Sequence, residues 1–167
     1  WISAIEPIYQ PKVDILNKCL KGLLDQVQEI IVASEGNSII PIGAMQHPKI
    51  RYVKTAKCGI GFSGNANHGA RHSIGKWLLF SNDDAFLDPG AVQKMREVAK
   101  ADTGIVSNLL YYPDKTIYHA GKIRTPGMRG WGHINHKQRH HDFKDVTELE
   151  NCCGCVVLTR RKAFYDA

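Results

Sequence analysis

Apolar and polar positions along the chain follow two patterns, one typical of buried strands and one typical of amphipathic helices. Short, nearly continuous apolar runs predict strands, because a strand that is covered on both faces is apolar at most positions. Between these runs, apolar residues recur at helical spacing, as they do over residues 14–27. The predicted strands are residues 2–5, 29–33, 50–53, 77–80, 104–106, 109–112, 116–118 and 156–158, and the predicted helices are 14–27, 63–74, 88–100 and 161–167. This alternation predicts an α/β fold with a mainly parallel central sheet flanked by helices.

One predicted strand, residues 77–80, leads directly into the polar sequence Asn82-Asp83-Asp84. Open α/β sheets bind ligands at the carboxyl ends of their strands. Two adjacent carboxylates repel each other unless a cation or a hydrogen-bond donor compensates them. Magnesium and manganese prefer such oxygen ligands. From these residues alone, the segment is either a metal site or an ordinary acidic turn.

Length, charge and cysteine content narrow the class of protein. A length of 167 residues predicts a single domain, and a net charge of +6 favours anionic partners such as phosphates, nucleotides or nucleic acid. No recognition motif accompanies that charge, so a nucleic-acid partner is not expected. No apolar run is long enough to span a membrane, and the chain does not begin with a signal-peptide pattern. Its five cysteines are therefore expected to be free, buried thiols in the cytoplasm.

Six short stretches, in a consistent order and spacing, carry a resemblance that covers nearly the whole chain. They are residues 7–10, 29–37, 61–69, 78–84, 104–121 and 154–164. In this order they resemble family 2 glycosyltransferases with the GT-A fold. The resemblance implies a Rossmann-like GT-A fold and an enzyme that transfers a sugar, with inversion, from a nucleotide-sugar donor to an acceptor. It implies a UDP-hexose such as UDP-glucose as donor, and a saccharide, lipid or protein as acceptor.

The same resemblance assigns roles to the acidic strand end. Asp84 is implied as a direct ligand of Mn2+ or Mg2+, and Asp83 as a contact to the ribose or the sugar. Asn82 stands where many family members carry the first Asp of the Asp-x-Asp motif, and its amide can coordinate or donate a hydrogen bond without adding charge. His133 is implied as a further metal ligand, with His136 as the next choice. A structural or solvated role is the alternative for either histidine.

The nucleoside is implied to lie against Pro7, Ile8 and Tyr9, because an apolar shelf with an aromatic ring suits a flat base. The Asp that contacts uracil in the family is replaced here by Ser34. Glu35, one residue further on, is expected to accept a hydrogen bond from the base instead.

Two further sets of residues are implied on the phosphate and acceptor sides. Asn67 and Arg71 lie one helical turn apart and are expected either to face the phosphates or to form a solvated helix face. Glu150 matches the acidic position before the glycine of the last strand, which implies the general base of an inverting transfer. Glu148 is the alternate base, and both carboxylates could equally be exposed loop residues.

The domain is expected to divide into a nucleotide-binding half, residues 1–84, and a shortened acceptor-side half, residues 85–167. Relatives continue further, so a short or C-terminally truncated member is expected. The alternative function is accordingly a nucleotide-sugar-binding module, or a slow hydrolase of the donor, without a full acceptor site. A nucleotidyltransferase would need a Gly-rich, Arg-containing loop after the first strand, which residues 7–12 do not supply.

Overall fold

A computed structural model of the protein describes residues 1–124, 131–138 and 146–167. Helices and strands alternate along the first half, as the sequence pattern predicts. The helices are α1 (Val13–Leu24), α2 (Gly61–His72), α3 (Ala91–Val98) and α4 (Arg161–Asp166). The strands are β1 (Ile2–Ile8), β2 (Glu29–Ser34), β3 (Ile50–Lys54), β4 (Trp77–Ser81), β5 (Ile105–Ser107), β6 (Leu110–Tyr111), β7 (Ile117–His119), β8 (Lys122–Arg124), β9 (Trp131–His133) and β10 (Val156–Arg160).

The central sheet has the strand order β3-β2-β1-β4-β10-β5. Strands β1 to β4 are parallel, while β10 runs antiparallel to both of its neighbours. Two hairpin-like pairs, β6–β7 and β8–β9, lie outside this sheet. The predicted α/β fold with a mainly parallel sheet is therefore confirmed. Because β2 and β3 add to one side of β1 and β4 adds to the other, the direction of strand addition reverses between β1 and β4.

Alternate residues of the central strands pack against helices on opposite faces of the sheet. Ala4 belongs to the larger core cluster, which includes Leu16 and Leu20 of α1, whereas its neighbour Ile5 packs with Ala66 of α2. All of these side chains are buried, and each large one contributes roughly 1.5–3 kcal/mol of burial free energy. The two layers of helices hold the carboxyl ends of β1, β2 and β4 in fixed relative positions.

Strand β1 extends three residues beyond the predicted strand, through Pro7 to Ile8. Pro7 removes a backbone donor and usually terminates a paired strand. Here, however, the described pairing of β1 with β4 ends at Ile5, whereas pairing with β2 continues to Ile8. Proline is tolerated because only one side of the strand still carries a ladder of hydrogen bonds.

Helix α3 begins later than the sequence pattern predicts. Asp88 and Pro89, where the predicted helix begins, form a turn instead, in which the Asp88 carbonyl accepts from the Ala91 N–H at 3.1 Å. The cap is Gly90, whose φ of 80° lies in the left-handed region that glycine adopts without steric cost. The predicted start of this helix at residue 88 was therefore wrong by three residues.

The region after Gly121, for which the sequence pattern predicts no strand before residue 156, contains the paired strands β8 and β9 in its described part. All five cysteines are free, as expected, but only Cys19 is buried, and Cys58 is exposed. Cys58 is exposed because it lies in the loop between β3 and α2.

Among the helices that the structure describes, none has the length and apolar character needed to cross a membrane.

Candidate functional site

A groove of about 370 Å³ opens at the carboxyl ends of β1, β2 and β4. It lies where the direction of strand addition reverses, the position at which open α/β sheets bind ligands. Its lining residues come from the strand ends, the segments that follow them and the first turns of α2. They are Pro7, Ile8, Tyr9, Glu35, Gly61, Phe62, Asn65, Asn82 and Asp83. The structure thus brings together the residues that the sequence selected on β1, after β2 and after β4, apart from Asp84.

Hydrogen bonds from two other elements hold the acidic turn, Asn82–Asp84, beside the groove. The Asn82 N–H donates to the Cys155 carbonyl at 3.0 Å, just before β10 begins. The Cys19 thiol of α1 donates to the Asp83 carbonyl at 3.0 Å. Asp83 is half-buried and Asp84 is exposed. Burial, together with the adjacent charge of Asp84, raises the pKa of Asp83.

Glu6, one residue before the groove wall, is a fully buried carboxyl group. Neither of its oxygens has a hydrogen-bond partner among the described residues. Burial raises the pKa of Glu6 well above its ordinary value, and the charges of Asp83 and Asp84 add to that shift. Glu6, Asp83 and Asp84 therefore lie close together at the end of β1 and in the acidic turn. The described residues around them do not supply enough hydrogen-bond donors or positive charge to compensate all three carboxyl groups.

This donor set fits a hard divalent cation. Asn82, Asp83 and Asp84 offer oxygen ligands, and the buried carboxyl of Glu6, which has no hydrogen-bond partner among the described residues, lies at the same strand ends. Across residues 1–124, 131–138 and 146–167, no three His, Cys, Asp or Glu side chains form a group that could hold a metal. Ions such as Mg2+ are commonly held by one or two carboxylates plus substrate phosphates. The chain would thus supply part of a coordination shell and a phosphorylated ligand the rest.

The two histidines proposed as metal ligands are placed differently. The side chain of His133 lies outside the part of the chain that the structure describes. His136 is exposed, and its Nδ1 lies 3.2 Å from the Tyr118 carbonyl oxygen. His133 as a metal ligand remains a prediction.

Glu35 is buried and fixed at the beginning of α2. Its Oε2 accepts hydrogen bonds from the backbone N–H groups of Ile60 at 2.9 Å and Gly61 at 3.2 Å. At most the other oxygen, Oε1, is available to a ligand in the groove. The Ser34 hydroxyl is buried and has no hydrogen-bond partner among the described residues.

The residues of helix α2 that line the groove are not the ones predicted from the sequence. Asn67 and Arg71 are exposed and do not line the groove, whereas Asn65 does. Asn65 is buried, and its Oδ1 has no partner in the described structure. Helical spacing could have identified Asn65, because it lies four residues before Gly69, which packs directly on β1.

Phe62 is a second residue of α2 that sequence reasoning missed. Its side chain is 49% exposed, and Tyr9, which also lines the groove, is 55% exposed. Large aromatic rings left this exposed in the lining of a groove are typical of ligand contacts. The sequence feature that could have identified Phe62 is that it is the single Phe in a helical stretch composed otherwise of small and polar residues.

Glu150 and Glu148 are both exposed, and neither lines the groove. The segment that carries them is nevertheless tied to its surroundings. The Asn151 carbonyl accepts from the Lys122 N–H at 3.2 Å, and the Cys153 N–H donates to Nε2 of the buried His119 at 3.1 Å. This segment reaches the acidic turn through the Cys155 carbonyl.

Solved structures similar to this chain include nucleotide-sugar and nucleotide enzymes. A mannosyltransferase, PcManGT from Pyrobaculum calidifontis in complex with GDP-Man and Mn2+, matches with a TM-score of 0.54 and 19% identity, covering 68% of this chain and 36% of its own. The 4-diphosphocytidyl-2C-methyl-D-erythritol synthase from Anaerococcus prevotii matches with a TM-score of 0.53 and 11% identity, covering 99% of this chain and 74% of its own. S. aureus TarS 1-349 in complex with UDP-GlcNAc has a TM-score of 0.47 and 14% identity, covering 57% of this chain and 30% of its own.

At these identities the first two similarities establish the fold alone, and they agree with the expected GT-A type. The chain spans about a third of the length of PcManGT. The comparison with curated proteins found no match. The model of the family described as Glycosyl transferase family 2 matches residues 3–167, which is nearly the whole chain. The chain therefore belongs to glycosyl transferase family 2.

Proposed function

We propose that the protein is a glycosyltransferase that moves a hexosyl group from a UDP-sugar, such as UDP-glucose, to a saccharide, lipid or protein acceptor. The observation that carries the proposal is the groove between β1 and β4, which combines exposed aromatic rings, a fixed carboxylate and an acidic turn. Membership of glycosyl transferase family 2 supports the class of reaction. The proposed reaction inverts the configuration at the transferred sugar and uses Mn2+ or Mg2+.

The walls of the groove suit a nucleoside. Pro7 and Ile8 supply an apolar surface, and the exposed rings of Tyr9 and Phe62 can stack on a base. The unpartnered Oδ1 of Asn65 offers a buried acceptor for an N–H or O–H group of the ligand. Such an acceptor is costly to leave unpaired, so a ligand that satisfies it gains affinity.

Glu35 supports uracil over guanine as the base. Because Oε2 already accepts two backbone hydrogen bonds, one carboxylate oxygen at most remains for the ligand. Uracil presents a single ring N–H, which one oxygen satisfies. Guanine presents two adjacent donors, N1–H and the 2-amino group, which match a carboxylate with both oxygens free.

Asp84 is the proposed direct ligand of the divalent cation, to which the amide of Asn82 and the side chain of His133 would add further ligands. When bound, such a cation supplies positive charge for the leaving diphosphate. Asp83 is the proposed contact to the ribose or the sugar, and its position in the groove lining supports this role. Asn67 and Arg71 do not line the groove, so their proposed contact with the phosphates requires a ligand that extends beyond it.

Glu150 is the proposed general base. It would take the proton of the acceptor hydroxyl while that oxygen bonds to the anomeric carbon, from the side opposite the departing nucleoside diphosphate. The hydrogen bond between Cys155 and Asn82, which brings the end of the same segment to the acidic turn, supports this assignment. Glu148 is the alternate base.

The proposal is tested by titrating the purified protein with UDP-glucose, GDP-mannose and dTDP-rhamnose, with and without Mn2+, in a calorimeter. UDP-glucose should bind most tightly and only in the presence of the metal. Asp84→Ala should abolish the metal-dependent binding, whereas Asp102→Ala, which removes an exposed carboxylate from the turn after α3, should not. Metal-independent binding, or no binding of any donor, would contradict the proposed mechanism.

A nucleotide-sugar-binding module, or a slow hydrolase of the donor, is the second candidate. It is favoured by the observation that every lining residue of the groove lies within the first 83 residues and that Glu150 is not among them. Release of UDP measured with and without candidate acceptors separates the two functions. If no acceptor raises turnover and Glu150→Gln changes nothing, the second candidate is the better description.

A further inference from the structure

An open surface cavity of about 550 Å³, lined by exposed and half-buried residues, lies at the β6–β7 hairpin. Its lining residues are Tyr112, Pro113, Asp114, Thr116 and Lys137, none of which lines the groove described above. A volume of this size is within the range of small-molecule sites. The cavity is therefore a separate feature that the proposed nucleotide site does not explain.

The aromatic wall of this cavity is held in place before any ligand binds. The Tyr112 N–H donates to the Thr116 carbonyl at 2.8 Å, which closes the hairpin turn. The Tyr112 ring packs edge-to-face against Tyr118, with centroids 5.2 Å apart, and against His136 at 5.8 Å. A ring fixed in this way loses little conformational entropy when a ligand stacks on it.

The opposite wall is fixed by backbone pairing with β7. The Lys137 N–H donates to the Ile117 carbonyl at 2.8 Å, and the Ile117 N–H donates to the Gln138 carbonyl at 2.9 Å. Lys137 has a φ of 59°, in the left-handed region, which costs a non-glycine residue free energy. The hydrogen bonds to Ile117 hold the backbone in this conformation and so set where the Lys137 side chain begins.

The polar groups of the cavity provide one fixed anionic acceptor and one cationic donor. Asp114 Oδ1 accepts from the Thr116 hydroxyl at 2.6 Å and from the Thr116 N–H at 2.9 Å. These bonds, with a smaller contribution from Lys137, lower the pKa of Asp114, a side chain that is already ionised at neutral pH. Oδ2 of the same carboxylate and the ammonium group of Lys137 offer an acceptor and a donor of opposite charge.

This combination matches the chemistry of a sugar ring. A sugar has one face of C–H groups, which stacks on an aromatic ring, and a rim of hydroxyl groups, which both donate and accept hydrogen bonds. A phosphate group would be repelled by Asp114, and an apolar ligand would desolvate two charges without compensating them. We infer that the cavity at Tyr112, Asp114 and Lys137 is a saccharide-binding subsite.

The saccharide could reach this subsite from two sources. It could be part of the acceptor, in which case the inference rests on the proposed function, or a glycan that anchors the protein without reacting. The recognition chemistry is the same for both. Only kinetic measurements in the presence of the donor distinguish them.

Saturation-transfer NMR with the methyl glycosides of glucose, galactose, mannose and N-acetylglucosamine, in the absence of donor, tests the inference. At least one glycoside should bind, and Lys137→Gly should weaken it about tenfold, the loss expected for a hydrogen bond to a charged group. Lys115→Gly is the matched control. Lys115 lies in the turn of the β6–β7 hairpin and, like Lys137, has a left-handed φ, of 67°, but it does not line the cavity. Glycine accepts both backbone conformations, so neither change should perturb the fold.

Tyr112→Ala provides a second variant, with its fold checked by the NMR spectrum of the backbone amides. It should abolish saturation transfer to the sugar. Binding of none of the four glycosides, or equal affinity of the Lys137→Gly and Lys115→Gly variants, would overturn the subsite.

Adding UDP-glucose and Mn2+ then separates the two sources. If the bound sugar accelerates UDP release, and Lys137→Gly raises its KM without changing UDP-glucose affinity, the subsite holds the acceptor. If release is unchanged, the subsite holds an anchoring glycan. Normal donor binding without glycoside binding overturns the subsite alone, and glycoside binding without donor binding overturns the proposed function alone.

Discussion

The thiol of Cys19 donates a hydrogen bond to the backbone carbonyl of Asp83, with 3.0 Å between Sγ and the oxygen. This contact joins the core face of α1 to the acidic turn at the groove. Burial raises the pKa of Cys19 to about 12, and the nearby carboxyl groups of Glu6, Asp83 and Asp84 add to this increase. A thiol in this environment stays protonated and is a poor nucleophile.

We therefore expect alkylation to distinguish Cys19 from Cys58. Cys58 is exposed and should react with iodoacetamide within minutes at pH 8, whereas Cys19 should react only when the protein unfolds. Mass spectrometry of peptides after timed labelling, with and without urea, measures both rates. Equal rates for the two thiols in the folded protein would contradict the described position of α1.

Glu6→Gln should flatten the pH dependence of stability. Burial raises the pKa of Glu6 in the folded state, so its contribution is fully present below the pKa of a glutamic acid in the unfolded chain and is lost as pH rises toward the folded value. The wild-type protein should therefore lose stability relative to the variant as the pH rises from 5 to 8. Urea denaturation followed by tryptophan fluorescence at several pH values measures the difference.

Glu29→Gln is the contrasting variant for this experiment. Although burial raises the pKa of Glu29, the Ile74 N–H, the Ser3 hydroxyl and the Arg51 guanidinium together outweigh it and lower the pKa. Its stabilising contribution is therefore present at neutral pH and is lost as pH falls through the lowered value. If Glu6→Gln and Glu29→Gln changed the pH dependence of stability in the same direction, the described surroundings of one of these two carboxyl groups would be contradicted.

Gly69→Ala should destabilise the fold, because a Cβ at this position of α2 would lie 2.6 Å from Cγ2 of Ile5 and 3.1 Å from Cβ of Ala33. Overpacking of this kind costs roughly 1–3 kcal/mol. Gly22→Ala in α1 is the matched control, since the nearest atom there is 3.7 Å away and alanine favours a helix by about 0.8–1 kcal/mol. Thermal unfolding should give opposite shifts, and a stabilising Gly69→Ala would show that α2 lies further from the sheet.

Two variants of α2 test which asparagine contacts the ligand: Asn65, which lines the groove in the structure, or Asn67, which the sequence predicts. Asn65 lines the groove, so Asn65→Ala should weaken UDP binding about tenfold, the cost of roughly one hydrogen bond of 1.4 kcal/mol. Asn67→Ala removes an exposed side chain outside the lining and should leave the affinity close to wild type. The reverse result would favour Asn67 as the phosphate contact, as the sequence predicts. The melting temperature of each variant controls for loss of fold.

The elements of the fold could be predicted because their signals are local. Apolar runs identify β2 and β4, and helical spacing identifies α1, to within a few residues at each end. The extent of β1 could not be predicted, because the tolerance of Pro7 depends on which neighbour pairs beyond Ile5. Likewise, nothing local shows that Gly90 rather than Asp88 would cap α3.

The candidate site was only partly predictable, for a related reason. Residues at the ends of strands, such as Tyr9, Glu35 and Asp83, could be selected because parallel strands place their carboxyl ends at one edge of a sheet. The distinction between Asn65 and Asn67 depends on how α2 is rotated against the sheet. Helical spacing from Gly69, which packs on β1, gives a signal for that rotation, whereas a single sequence carries none for the burial of Glu6.

The position of β10 has a consequence for synthesis of the protein. Strands β1 to β4 can pair with one another as soon as the first 81 residues have emerged from the ribosome, because the three parallel ladders that join them use only those residues. Strand β5 must wait, because the strand beside it, β10, is made about fifty residues later. One side of β4, with its row of backbone hydrogen-bonding groups, is therefore open during translation. An unpaired strand edge of this kind is a site of misassociation, so we expect nascent chains that stop before residue 156 to bind chaperones.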